Sequence, residues 1–177
     1  MHRFAVSVLL VLALSGAGYA AVVTLSNETQ TTTFTANVTE QANVTVPATV
    51  TWTVDAISSS SPSADAPVSA AAIVLNDGQA LKISIAPDAT DFTPPTNGIV
   101  TWASNAISWV GSWTGGTPNN GTMSATATTY TKVVDTAANA ASVASTSLVF
   151  TLAAKAGVDR AGAHTLAATW KFESFTP

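Results

Sequence analysis

The chain contains no cysteine. That absence excludes a disulfide framework and all thiol chemistry, so stability has to come from burial and main-chain pairing. Charge is scarce as well: 9% of residues are Asp, Glu, Lys or Arg, where a soluble domain usually carries about a quarter. Cations are scarcest. None occurs between Ala21 and Leu81, and beyond residue 20 only Lys82, Lys132, Lys155, Arg160 and Lys171 stand against ten acidic residues. So acidic a chain cannot neutralise a phosphate backbone, and nucleic acid is a poor partner for it. Histidine is nearly missing too: beyond residue 20 the sequence has His164 alone. A histidine-based metal cluster is thereby excluded, and any nucleophile–His dyad would rest on this one residue. Its setting, Ala161-Gly162-Ala163-His164-Thr165-Leu166, reads as a strand beginning after a turn. There is no Gly-rich phosphate loop, no nucleophile-elbow serine and no zinc-binding helix motif. The expectation is a protein that is not an enzyme and carries no cofactor.

Long hydrophobic runs are also few. Residues 1–20 hold His2 and Arg3, the apolar run Phe4 to Leu14 and the small residues Ser15 to Ala20. That run is too short to span a bilayer, and Gly18-Tyr19-Ala20 suits a signal peptidase, so the sequence predicts cleavage after Ala20 and a secreted chain at the cell surface. No later stretch is long and apolar enough for a transmembrane helix.

Thr, Ser and Asn supply the polarity that charge does not. Four Asn-x-Ser/Thr sequons occur, at Asn27, Asn37, Asn43 and Asn120, each a candidate for N-glycosylation in a host that performs it. Strand signals recur throughout. Leu81, Ile83 and Ile85 alternate with Lys82, Ser84 and Ala86; Val50, Trp52 and Val54 alternate with Thr49, Thr51 and Thr53; Leu166, Ala168, Trp170 and Phe172 alternate with more polar or smaller residues. Period-two patterns of this length are strands. Turn signals separate them at Asn76-Asp77-Gly78, Pro94 to Gly98, Gly115 to Gly121 and Gly157 to Gly162. Such punctuation predicts an all-β fold, an antiparallel β-sandwich of jelly-roll or Ig-like type with about eight to ten strands. Ser58 to Ser63 reads as a long surface loop rather than a domain break. The Ala-rich segment Thr136 to Ser147 fits a short helix or a strand equally well.

The alternating segment Phe34 to Val46 is the most informative. Phe34, Ala36, Val38, Val44 and Val46 share its apolar face, interrupted by Glu40, while Asn37 and Asn43 share the other. If extended, it is one long strand. An ordinary first strand of a sandwich has this pattern; so does a strand that works between molecules, completing the sheet of a neighbouring copy through main-chain hydrogen bonds. Head-to-tail donation of that kind does not close and builds a filament. On this reading the organisation is a signal peptide at 1–20, an extended segment at 21–48 and a sandwich domain at 49–177.

Chemistry-bearing clusters are fewer. Trp102, Trp109 and Trp113 fall within one short stretch and are candidates for stacking on sugar rings. Ile107, Trp109, Gly111 and Trp113 also share one face of a strand, with Ser108 and Ser112 on the other, which is the pattern of a core-facing edge. Asp88 and Asp91 could pair as glycoside-cleaving carboxylates or, like Asn76-Asp77, ligate Ca²⁺, but they read better as solvated turns.

Gly16 to Ala21, followed by Leu25-Ser26-Asn27-Glu28-Thr29 and Thr33-Phe34-Thr35-Ala36-Asn37, resembles the start of secreted biofilm-matrix proteins of the TasA and camelysin type and of archaeal bundling pilins. That resemblance implies a jelly-roll-like sandwich whose subunits polymerise by donating an N-terminal strand. Thr169-Trp170-Lys171-Phe172, with Thr51-Trp52-Thr53-Val54, is similar to the Trp-x-Leu pairs of WxL cell-wall-binding domains and implies attachment to wall polymers. The leading expectation is a structural or adhesive filament subunit whose partner is itself. A non-catalytic module binding cell-wall polymers or glycans is the alternative.

Overall fold

The computed structural model describes residues 31–177. The expected signal peptide and the sequon at Asn27 lie outside that range. In chain order the strands are β1 (Gln41–Thr45), β2 (Ser61–Pro62), β3 (Ser69–Val74), β4 (Ala80–Pro87), β5 (Ile107–Thr114), β6 (Gly116–Pro118), β7 (Gly121–Thr122), β8 (Thr131–Thr136), β9 (Val143–Leu152) and β10 (Ala168–Phe175). One 3-10 turn, Ser104–Ala106, precedes β5. No helix of the described residues is long and apolar enough to cross a membrane.

Two antiparallel sheets pack face to face as a β-sandwich, as the alternating patterns predict. The larger sheet runs β1-β3-β9-β5-β7 with β2 also on β9, and the smaller runs β10-β4-β8-β6. Each inward face contributes alternate residues to one core that includes Val68, Leu81, Ile83, Trp109, Val133, Leu148 and Phe150. Burying such side chains stabilises the fold by about 1.5–3 kcal/mol apiece. β4 lies between β10 and β8, so it is covered on both edges, and Ser84 on its outward face is buried as well. It ends at Pro87, where a missing N–H is harmless: the β8 pairing stops at Ile85.

Two local expectations resolve. The Ala-rich segment from Thr136 is not helical: β8 ends there, Asn139 takes a left-handed turn with φ 58°, and β9 begins at Val143. Asn tolerates that conformation better than other side chains, and its Oδ1 accepts the Gly78 N–H at 3.0 Å, tying this turn to the β3–β4 turn. The serine run is not wholly loop, because Ser61 and Pro62 pair with Leu152 and Thr151 of β9.

Phe34 to Val46 is not one long strand. Residues 31–40 carry no ladder pairing and are exposed, and only Gln41–Thr45 joins a sheet, against β3 of the same chain. The β1–β3 register shifts between Gln41 and Asn43, where two steps of β1 face three of β3 and Ala72 takes φ 49°; Ala42 packs toward the core while Val44 is half exposed. The compact unit that forms the sandwich runs Val38–Pro177 and takes in β1.

A candidate strand-accepting flank

The two sheets close against each other unevenly. On one flank lie β1 and the following residues 47–54; facing them is β10, the outermost strand of the smaller sheet. Residues 49–54 keep the alternation read from the sequence, with Val50, Trp52 and Val54 half-buried and Thr49, Thr51 and Thr53 exposed, yet they carry no ladder pairing. The alternation of burial is that of a strand, without a paired strand beside it among the described residues. The Trp52 indole N–H anchors it by donating to the Phe150 carbonyl at 3.1 Å.

β10 forms the opposite wall. It pairs with β4 from Ala168↔Pro87 to Phe175↔Ala80 without a register shift. The Asp88 N–H donates to the Ala167 carbonyl at 2.9 Å, which fixes the alternation: Thr169, Lys171 and Glu173 turn their main-chain groups to β4, while Ala168, Trp170, Phe172 and Ser174 turn theirs to the free edge. The side chains of Trp170 and Phe172 reach the core but remain only partly covered.

Natural sheets blunt their edges against unintended pairing. Here the β1–β3 pairing shifts register, β6 ends in Pro118 and β7 is two residues long. β10 has no bulge and no proline over its eight residues, carries Lys171 and Glu173 as its only charges, and has no described residue paired with its outer side.

Between the walls opens a cleft of about 940 Å³ whose floor is the core itself, with Trp52, Ile85, Trp102, Phe150, Leu152 and Trp170 lining it. A second groove of about 410 Å³ continues the flank toward the other end, lined by Ala42, Val44, Leu75, Leu81 and Phe172. Glu40 marks the end of this groove. One carboxylate oxygen accepts the Asn76 N–H at 2.9 Å and the other accepts the Ser174 hydroxyl at 2.7 Å. These bonds, the Asn76 amide first, hold the Glu40 pKa below its ordinary range.

The far lip of the cleft, residues 158–168, is pinned separately. Asp159 accepts the N–H groups of Ile99 and Val100 at 3.0–3.2 Å, and the Val100 bond is the main reason its carboxyl titrates low. His164 bonds Thr101 Oγ1 through Nδ1 at 2.9 Å and the Arg160 carbonyl through Nε2 at 3.1 Å, with its ring edge-on to Trp102. The group that orients the imidazole is thus a carbonyl; the nearby carboxylate of Asp159 is engaged elsewhere.

The structure sorts the remaining candidates. Trp102 and Trp109 are 4% and 2% exposed, and their indole N–H groups donate to Ala153 and Asn119 carbonyls. Trp109 is thus a core residue, Trp102 lies in the floor of the cleft, and Trp113 is half-buried. Asp88 accepts the Thr169 hydroxyl and Asp91 that of Thr90, and no cluster of three metal-ligating side chains occurs among the described residues. Asn37, Asn43 and Asn120 are exposed, with Asn120 Oδ1 accepting the Gly111 N–H. Of the strand-donor candidates, Phe34 is 92% and Val38 69% exposed, Ala36 is exposed, and Val44 and Val46 flank the sandwich itself. Sequence reasoning missed the cleft, whose walls are more than a hundred residues apart in the chain and share no motif.

No family model, curated protein or solved structure matches this chain.

Proposed function

We propose that this chain is a secreted structural protein of the cell surface, a subunit that builds extracellular filaments by donating its N-terminal segment as a strand to the next copy. The observation that carries this reading is the pair of unmet needs in one molecule. Residues 31–39 present Phe34, Ala36 and Val38 to solvent at alternate positions and carry no ladder pairing to a described residue, and the sandwich has a long unpaired edge beside a cleft floored by aromatic residues. An isolated apolar side chain on a surface is ordinary; an alternating uncharged row on a Thr-rich, β-prone segment is the form of an added strand.

Charge supports the same reading. The segment from Ala21 to Thr39 has no cation and Glu28 as its single acid, so residues 31–39 bring no charge of their own into the cleft. Glycans on Asn37 would have to project away from the joint, since Asn37 has the opposite parity to Phe34, Ala36 and Val38.

Negative-stain electron microscopy of protein beginning at Ala21, beside the same protein lacking residues 21–39, tests the proposal. Filaments from the longer form alone are the expected result. Filaments of equal abundance from both forms, or from neither, would overturn it.

A further inference from the structure

We infer that the acceptor is the flank between residues 47–54 and β10 of a second copy, and that the donor is confined to residues 31–39 with Phe34, Ala36 and Val38 inserted, Val44 and Val46 belonging instead to the receiving domain. This rests on the strand-donation reading and adds the joint's two sides.

Glu40 sets the donor's limit. Its two hydrogen bonds hold the chain to Asn76 and Ser174 within its own domain, and β1 follows at once, paired to β3 from Gln41↔Val74 to Thr45↔Ser69. Releasing Val44 or Val46 to a neighbour would cost that ladder and open the groove Val44 lines. Residues 31–39 carry no ladder pairing to a described residue, and none of them is charged. The Glu40 that interrupts the apolar face in the sequence is the boundary between donated and retained chain.

The dimensions agree. At about 3.4 Å per residue, nine residues span about 30 Å and the eight residues of β10 about 27 Å. The incoming main chain meets the outward groups of Ala168, Trp170, Phe172 and Ser174, and its inward side chains meet a floor that already includes Trp52, Trp102 and Trp170. A cleft of about 940 Å³ is at the upper end of the about 300–1,000 Å³ range of pockets that bury a ligand. The occupant is residues 31–39 of a second copy, an uncharged alternating row whose nine residues match the eight of β10 in length.

The chain's lack of cysteine makes disulfide trapping clean. Full-length mature protein carrying Thr35→Cys is combined in turn with Thr169→Cys, Lys171→Cys or Glu173→Cys, all on the solvent side, then assembled and oxidised. At least one pair should give a ladder of covalent multimers on a denaturing gel, since neighbouring strands bring facing Cβ atoms to disulfide range. Filaments with no ladder from any pair would overturn the acceptor assignment and leave strand donation standing; absence of filaments from the unsubstituted protein would overturn both. Mixing gives an independent reading. Phe34→Asp/Val38→Asp removes the donor, and Ala168→Pro removes an outward N–H of the acceptor edge. Each alone should lose at least tenfold in sedimentable polymer, and the two together should form a dimer that grows no further. Wild-type polymer yield from either variant alone would contradict the joint.

Discussion

The Glu40 carboxylate accepts the Ser174 hydroxyl at 2.7 Å across 134 positions of sequence, joining the entry of the first strand to the end of the last. With the Asn76 N–H on its other oxygen, this one side chain ties both sheets together where the open flank ends. Its pKa lies below the ordinary 4.5 because both bonds favour the ionised form. A lowered folded pKa contributes stability that is complete above the unfolded value and is lost as pH falls through the folded value. The melting temperature of Glu40→Gln should therefore sit below wild type at pH 7 and converge on it as pH falls through the lowered folded value. Equal offsets at pH 7 and pH 3 would assign the role to shape rather than charge.

Asp159 makes a parallel case on the cleft's far lip. Its carboxyl titrates low chiefly through the Val100 amide, so Asp159→Ala should accelerate hydrogen exchange at Ile99 and Val100 while leaving core amides such as Ile83 protected. In the wild type the same two amides should lose protection as the solution is acidified through the lowered pKa.

Leu148 is fully buried in β9 between β5 and the segment leading to β3. Leu148→Ala should cost about 2–5 kcal/mol in urea unfolding, the transfer free energy of the lost atoms plus the cavity they leave. Trp109→Ala removes a larger buried ring and its bond to the Asn119 carbonyl, and should cost at least as much.

Two glycines separate strain from crowding. Gly78 has φ +77° and open space around a would-be Cβ, so Gly78→Ala pays only the left-handed conformation, about 1 kcal/mol. Gly116 has an ordinary φ, but a Cβ there stands 2.6 Å from Val134 Cγ2 and 2.8 Å from Val143 Cγ2. Gly116→Ala forces the core apart and should cost about 1–3 kcal/mol. Equal destabilisation by the two would contradict this division.

Much of the sandwich was legible because period-two alternation survives folding. Leu81, Ile83 and Ile85 face the core as their spacing predicts, and the turns at Gly78, Gly115, Gly157 and Gly162 use the positive φ that glycine permits. Alternation does not report pairing, though. Val50, Trp52 and Val54 point inward from a segment with no ladder, and Phe34 to Val46 looks continuous until the Glu40 bonds and the start of the β3 pairing at Gln41 divide it. Both distinctions depend on partners far away in sequence. The cleft was illegible for the same reason: Trp52, Trp102, Phe150 and Trp170 are each ordinary core aromatics by their neighbours, and only the fold puts them under one opening.

The central claim is that this flank takes up a strand with the sequence of residues 31–39. The most direct measurement is the thermal melting of the Phe34→Asp/Val38→Asp protein titrated with a synthetic peptide of that sequence, beside the same peptide bearing Asp in place of Phe34 and Val38. Binding to the folded state alone raises stability with ligand concentration, so the account predicts a dose-dependent rise in melting temperature with the native peptide and none with the Asp-bearing one. A melting temperature indifferent to the native peptide at saturating concentration would contradict it.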